Sequence, residues 1–219
     1  MPALLFDLDG TMLNSDAIHE QVYRELWASR GLEMTDGFYM AHVHGRLNVD
    51  VFAEFLPDEP DPQGLSEWKE AEFRARLPRP YPPMPGVLDV LETARAQGWA
   101  VSVVTNAMRL NADAMLAAIG AQDFVDDVII GEECTHAKPH PEPYLTAMSR
   151  LEVAHHDCIA FEDSPTGVRA ATASGAFTIG VRSALSDADL RDNGAHATIQ
   201  DFTDTALPAL LDRLKGAAA

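Results

Sequence analysis

The stretch LLFDLDGTML, Leu4 to Leu13, runs an apolar segment straight into two carboxylates, Asp7 and Asp9, followed by Gly10 and Thr11. A short apolar run of this kind reads as a buried strand. Two later runs have the same form. WAVSVVTN ends in Thr105 and Asn106, and CIAFED ends in Glu162 and Asp163. Two further short runs, DVIIG and FTIGV, read as strands as well. Helical patterns separate them, at about 87–97, 109–119, 142–151 and 166–174. Strands alternating with helices indicate βαβ units and a parallel sheet covered on both faces. The expectation is an α/β fold, a doubly wound parallel-sheet Rossmann-like core. Ligands bind such sheets just beyond the carboxyl ends of the strands.

The segment between the first two strands breaks this rhythm. Ser15 is placed to cap a helix running to about Arg30, in which Ile18, Val22 and Leu26 repeat every four residues and Gly31 supplies the stop. The remainder to about Leu77 reads as helical, broken by LPDEPDPQG. LPRPYPPMPG, Leu77 to Gly86, carries five prolines and reads as a stiff linker. The expected division is a core made of 1–13 and 82–219, with a small α-helical cap domain at 14–81 inserted after the first strand.

The bulk composition narrows the partners. The chain of 219 residues is 47% hydrophobic and 23% charged, with a formal charge of −18. Such a surface repels phosphate backbones, so neither nucleic acid nor an anionic membrane is expected as a partner. Cys134 and Cys158 form no C-x-x-C motif, and no run approaches the length of a membrane span. No basic n-region precedes the first apolar run. A cytoplasmic monomer is the expectation. No G-x-x-x-x-G-K-[ST] loop is present.

Four carboxylates converge if the three polar-ended strands are neighbours, and they cannot all ionise without help. Mg²⁺ prefers hard oxygen ligands and keeps waters that substrate oxygens can replace. Lys138, in HAKPHPEPY just before a helix, is a candidate cation that could neutralise a phosphoryl oxygen.

Taken in order, DLDGT, Thr105, Lys138-Pro139 and EDSPTG resemble the four motifs of the haloacid dehalogenase superfamily. The resemblance covers essentially the whole chain. The insertion after the first motif is similar to the subgroup of β-phosphoglucomutases and sugar-phosphate or phosphoglycolate phosphatases. It implies Asp7 as nucleophile and Asp9 as acid and base. It implies Thr105 and Lys138 as holders of the phosphoryl group, helped by backbone N–H groups of Leu8, Asp9 and Asn106. It also implies Mg²⁺ on Asp7, the Asp9 carbonyl and Asp163, with Glu162 behind them. Asp9 favours phosphate substrates, since the true dehalogenases lack it.

Alternatives stand beside several of these readings. Asn106 is either a phosphate contact or a cap of the next helix, and Ser164 is an N-cap. His19 and Arg46 are either substrate contacts in the cap or packing and surface residues. Arg109 either touches substrate or begins a helix. The pairs His42/His44, His136/His140 and His155/His156 have no cysteines at zinc-site spacing and read as structural or surface residues. The leading function is a Mg²⁺-dependent phosphatase for a small phosphorylated metabolite. A β-phosphoglucomutase is the runner-up, weakened because Asn48 stands near the family's cap arginine and Ala107-Met108 replace its Ser-Lys pair. A non-catalytic phospho-acceptor is the third reading. Cap closure about LNS and the proline-rich run is expected to gate the site.

Overall fold

The computed structural model describes residues 1–44 and 46–214; the glycine of HGRLN and the alanines at 217–219 lie outside the described residues. The chain divides into two compact units, one of Met1–Asn14 and the chain from Arg79 onward, the other of Ser15–Pro78.

In the larger unit, strand β1 (Ala3–Phe6) comes first. The smaller unit then holds helices α1 (Asp16–Ser29), α2 (Phe38–His42), α3 (Asn48–Phe55) and α4 (Pro62–Arg76). The larger unit resumes with α5 (Val87–Gln97), β2 (Ala100–Thr105), α6 (Arg109–Ile119), β3 (Asp127–Ile130) and α7 (Glu142–Arg150). It continues with β4 (Cys158–Glu162), α8 (Pro165–Ala173), β5 (Phe177–Val181), α9 (Asp187–Asp192), β6 (Ala197–Ile199) and α10 (Leu207–Leu211). Among the described residues the six strands make one parallel sheet in the order β3-β2-β1-β4-β5-β6. The chain steps outward from β1 through β2 to β3, then crosses back to β4 on the other side of β1. That reversal is the topological switch point of a doubly wound sheet. β1 is central, with Leu5 opposite Ser102 on β2 and Ala160 on β4, and all four of its residues are buried. Burial on both faces is why this strand is apolar throughout rather than alternating. Phe6 stacks on Phe161 of β4 at 4.9 Å.

β6, α9 and α10 do not stand out in the sequence. β6 is three residues at the sheet edge with only Ile199 fully buried. Helix α5 ends at Gly98 in the left-handed conformation, φ 67°. Residues Arg79 to Tyr81 sit with the larger unit. The Tyr81 N–H donates to the Ala118 carbonyl at 2.8 Å and its hydroxyl to the Asn14 carbonyl at 2.7 Å. The Met84 N–H donates to the Met12 carbonyl at 2.7 Å. Much of the proline-rich run is thus bound to the larger unit.

The described residues of the smaller unit form helices and loops around an aromatic core of Tyr23, Trp27, Tyr39 and Phe52. α1 buries Val22 and Leu26 of the four-residue repeat, together with Tyr23 and Trp27, whereas Ile18 is only half-buried. Ser15 occupies the N-cap position of α1 but does not make the capping hydrogen bond. The break in LPDEPDPQG is a loop that ends where Asp61 caps α4, accepting from the Gly64 N–H at 2.9 Å. Among the described residues no helix is long and apolar enough to cross a membrane.

Candidate active site

The switch point lies between β1 and β4, and the polar strand ends meet there. The regular strand β1 stops at Phe6, although the Asp7 N–H still donates to the Phe161 carbonyl at 2.9 Å and carries the ladder one residue further. Asp9 lies beyond the strand, in a turn closed by the Gly10 N–H to the Leu13 carbonyl (2.7 Å) and the Met12 N–H to the Leu8 carbonyl (2.8 Å). Strand alternation therefore does not orient Asp9; the turn does.

Lys138 links the two strand ends. Its Nζ donates to Asp7 Oδ1 at 2.7 Å and to Glu162 Oε1 at 2.5 Å. Glu162 also accepts from the Tyr144 hydroxyl at 2.6 Å, on the inner face of α7. Lys138 and Glu162 are buried, at 7% and 0% exposure, so neither charge is tolerable without the other. Burial alone would lower the Lys138 pKa; Asp7 and Glu162 outweigh it and raise it, so the ammonium stays charged.

The carboxylates are in the opposite position. Burial raises Asp7 to about 7, against the pull of Lys138 and with the repulsion of Glu162 and Asp9. Burial likewise raises Asp163, reinforced by Asp7, Glu162 and Asp9 and opposed by the Ser183 hydroxyl. A salt bridge normally lowers an aspartate, but here one lysine is shared among several buried carboxylates and does not suffice. Asp7, Glu162 and Asp163 each present one oxygen, all within 4.8 Å of one another. Clustered hard oxygens that are short of positive charge fit a Mg²⁺ ion. Glu162 turns its Oε1 to Lys138 and Tyr144. Asp163 receives the hydroxyls of Ser183 (3.1 Å) and Thr11 (3.4 Å).

Thr105 closes β2, the other neighbour of β1, and is buried; its hydroxyl accepts from the Ala107 N–H at 3.0 Å. Asn106 does not cap α6, whose N-cap is Met108. Its amide instead holds the Lys138 backbone at two points, donating to the carbonyl and accepting from the N–H, each at 3.2 Å. Ser164 does cap α8, accepting from the Gly167 N–H at 3.0 Å.

The remaining candidates have partners within their own units. Arg109 forms a bidentate pair with Glu133, at 3.0 and 2.6 Å, and donates to the Val128 carbonyl. In the smaller unit, Arg46 pairs with Glu54 at 2.9 Å. His19 stacks on Phe73 at 3.9 Å, and its Nδ1 lies 2.6 Å from the buried Lys69 Nζ. Lys69 donates to Glu70, which also accepts from Asn48. Tyr144, Ser183 and Thr11, which touch Glu162 or Asp163, do not stand out as site residues in the sequence. Tyr144 hides in the apolar stripe of α7. Thr11 at least stands inside the DLDGT motif.

Comparisons with known proteins place the chain in a family. The family described as haloacid dehalogenase-like hydrolase matches residues 4–181. The fructose-1-phosphate phosphatase YqaB of Escherichia coli (strain K12) is 29% identical over 182 residues, covering 82% of this chain and 95% of that protein. The crystal structure of CbbY from Rhodobacter sphaeroides in complex with phosphate matches with a TM-score of 0.79 and 25% identity, covering 92% of this chain and 95% of that one. The β-phosphoglucomutase of Clostridium difficile shares the fold, with a TM-score of 0.83 at 20% identity over 99% and 98% of the two chains. The chain belongs to the haloacid dehalogenase-like hydrolase family.

Proposed function

We propose that the protein is a cytoplasmic, Mg²⁺-dependent phosphatase that hydrolyses a small phosphorylated metabolite, a sugar phosphate or short-acid phosphate, through an aspartyl-phosphate intermediate. The observation that carries this reading is Lys138 held between Asp7 and Glu162, beside Asp163, at the switch point of the sheet. In this reading an Asp7 carboxylate oxygen attacks phosphorus, which divides one difficult displacement into two easier ones. Asp9 gives a proton to the departing alkoxide and then takes one from the attacking water. Lys138 and the Thr105 hydroxyl hold the phosphoryl oxygens, and Asn106 steadies the Lys138 backbone. Asp7, the Asp9 carbonyl and Asp163 would hold Mg²⁺, with Glu162 placing Lys138. Bound there, the ion supplies charge neutralisation, the dominant need in phosphoryl transfer.

The phosphatase activity of the Escherichia coli relative supports the substrate class. The smaller unit is proposed as the cap, with His19 and Arg46 selecting the substrate. A β-phosphoglucomutase must also grip a second phosphate. Ala107 and Met108 stand where the mutases have a Ser-Lys pair, and the neighbouring Arg109 is paired with Glu133, which favours hydrolysis.

A panel of phosphorylated metabolites, assayed for phosphate release with Mg²⁺ and with a chelator, tests the proposal. Release from a sugar or short-acid phosphate that stops on chelation is expected. Absence of release across the panel, or release indifferent to the chelator, would overturn it. With β-glucose 1-phosphate and a bisphosphate primer, glucose 6-phosphate as product would replace it with the mutase reading.

A further inference from the structure

The segment that carries Lys138 gathers a second group of donors, which the proposed reaction does not use. His136, His140 and Glu142 each present one ligand atom, and the three atoms lie within 4.8 Å of one another. His136 Nδ1 is 2.9 Å from Glu142 Oε2, and His140 Nδ1 is 3.9 Å from the same oxygen. Donors about 2.1 Å from a tetrahedral ion stand about 3.4 Å from one another. The two separations bracket that spacing and the third pair lies within 4.8 Å, so side-chain rotations can bring all three donors onto one ion.

The carboxylate is already aimed. Glu142 Oε1 accepts from the Thr135 N–H at 2.8 Å and Oε2 from the His136 N–H at 3.0 Å. The lone pair of His140 Nδ1 faces the same helix start, accepting from the Glu142 N–H at 3.2 Å. The two imidazole rings lie 4.5 Å apart at 32°. Their side chains are 61% and 50% exposed, so an ion reaches them from solvent without opening the fold.

Two imidazoles and one carboxylate, with a fourth position left for water, is a donor set that suits Zn²⁺ and its borderline neighbours; Mg²⁺ prefers oxygen alone. We infer that His136, His140 and Glu142 form a site for a transition-metal dication of the Zn²⁺ class, separate from the carboxylates at Asp7. The sequence supplies no cysteine at zinc-site spacing, and the third donor is instead a carboxylate two residues past His140. The ion takes the Nδ1 lone pair of each ring, at His140 in place of the Glu142 N–H, which water then serves at the helix start. At His136 the proton now facing Glu142 moves to Nε2, so the neutral imidazole keeps its charge.

Calorimetric titration of the full chain with Zn²⁺, in excess Mg²⁺, tests this independently of the phosphatase reading. One saturable site is expected, retained in Asp7→Asn and weakened at least tenfold in the double variant His136→Ala/His140→Ala. Glu142→Gln, which keeps an oxygen for the Thr135 N–H, should weaken it too. Imidazole nitrogen spectra of the unmodified chain should show the Nδ1 signals of both histidines moving on Zn²⁺ addition. No saturable uptake, uptake that survives the double substitution, or uptake lost only in Asp7→Asn would overturn the site.

Discussion

Gly10→Ala is the substitution whose outcome follows most directly from the geometry. Gly10 has φ 84°, and a Cβ built on it would overlap the carboxylate of Asp163. Two costs therefore combine. Placing an alanine in the left-handed region costs about 1–2 kcal/mol. Asp163 must also retreat from the Ser183 hydroxyl, which it accepts at 3.1 Å. Such a hydrogen bond contributes about 1–1.5 kcal/mol. The sum, about 3 kcal/mol, corresponds to a fall in Tm of roughly 6–12 °C for a chain of this size. The same displacement moves a proposed metal ligand, so the Mg²⁺ concentration for half-maximal turnover should rise. Gly98→Ala is the control. Gly98 also has a positive φ, 67°, but a Cβ there meets nothing within 4 Å. It should cost only the conformational share, about 1–2 kcal/mol, with Mg²⁺ dependence unchanged. Thermal unfolding followed by circular dichroism, with Mg²⁺ titration of turnover, reads both effects. If Gly10→Ala lowered Tm no more than Gly98→Ala and left the Mg²⁺ dependence alone, the close approach to Asp163 would not be a constraint on this fold.

Three further substitutions probe the same centre. Asp7→Asn should abolish turnover while native circular dichroism is retained; near-native activity would remove Asp7 from the nucleophile's role. Lys138→Ala leaves Asp7 and Glu162 without their shared cation and should cost about 3–5 kcal/mol as well as activity. A variant as stable as the parent in denaturant titration would contradict that account. Tyr144→Phe removes one donor to Glu162 with little change of shape. It should cost about 1.5–3 kcal/mol and lower kcat, both measured on the purified variant.

The fold was legible where periodicity and punctuation agree. The α5 pattern ends at Gly98 and the α6 pattern at Ile119, and the apolar strands of the sheet centre declare themselves because both their faces are buried. The edge strand β6 did not, since three residues with only the last one buried carry no pattern. The charged candidates at the proposed site were legible as residue types but not as partners. Arg109 meets Glu133 across 24 positions of sequence, and Lys138 meets Asp7 across 131. Such pairs are set by sheet order, which one chain's local pattern does not reveal. Asn106 shows the same limit. Its place after β2 suggested a phosphate contact or a cap, and it does not cap α6: its amide grips the backbone of a segment 32 residues later.

The hydrogen bonds from Tyr81 to Asn14 and from Met84 to Met12 tie together the two points where the chain leaves and rejoins the sheet. The sheet unit thereby closes its own seam from within. Loop closure depends only logarithmically on length, and doubling an insertion costs about 0.6 kcal/mol. Whatever is spliced between those two points can therefore grow, shrink or be exchanged while the sheet keeps its register. Chimeras that graft a relative's insertion at this seam should inherit the donor's substrate preference on an unaltered phosphoryl-transfer platform. If the smaller unit is the cap proposed above, specificity is free to diverge while the chemistry stays put.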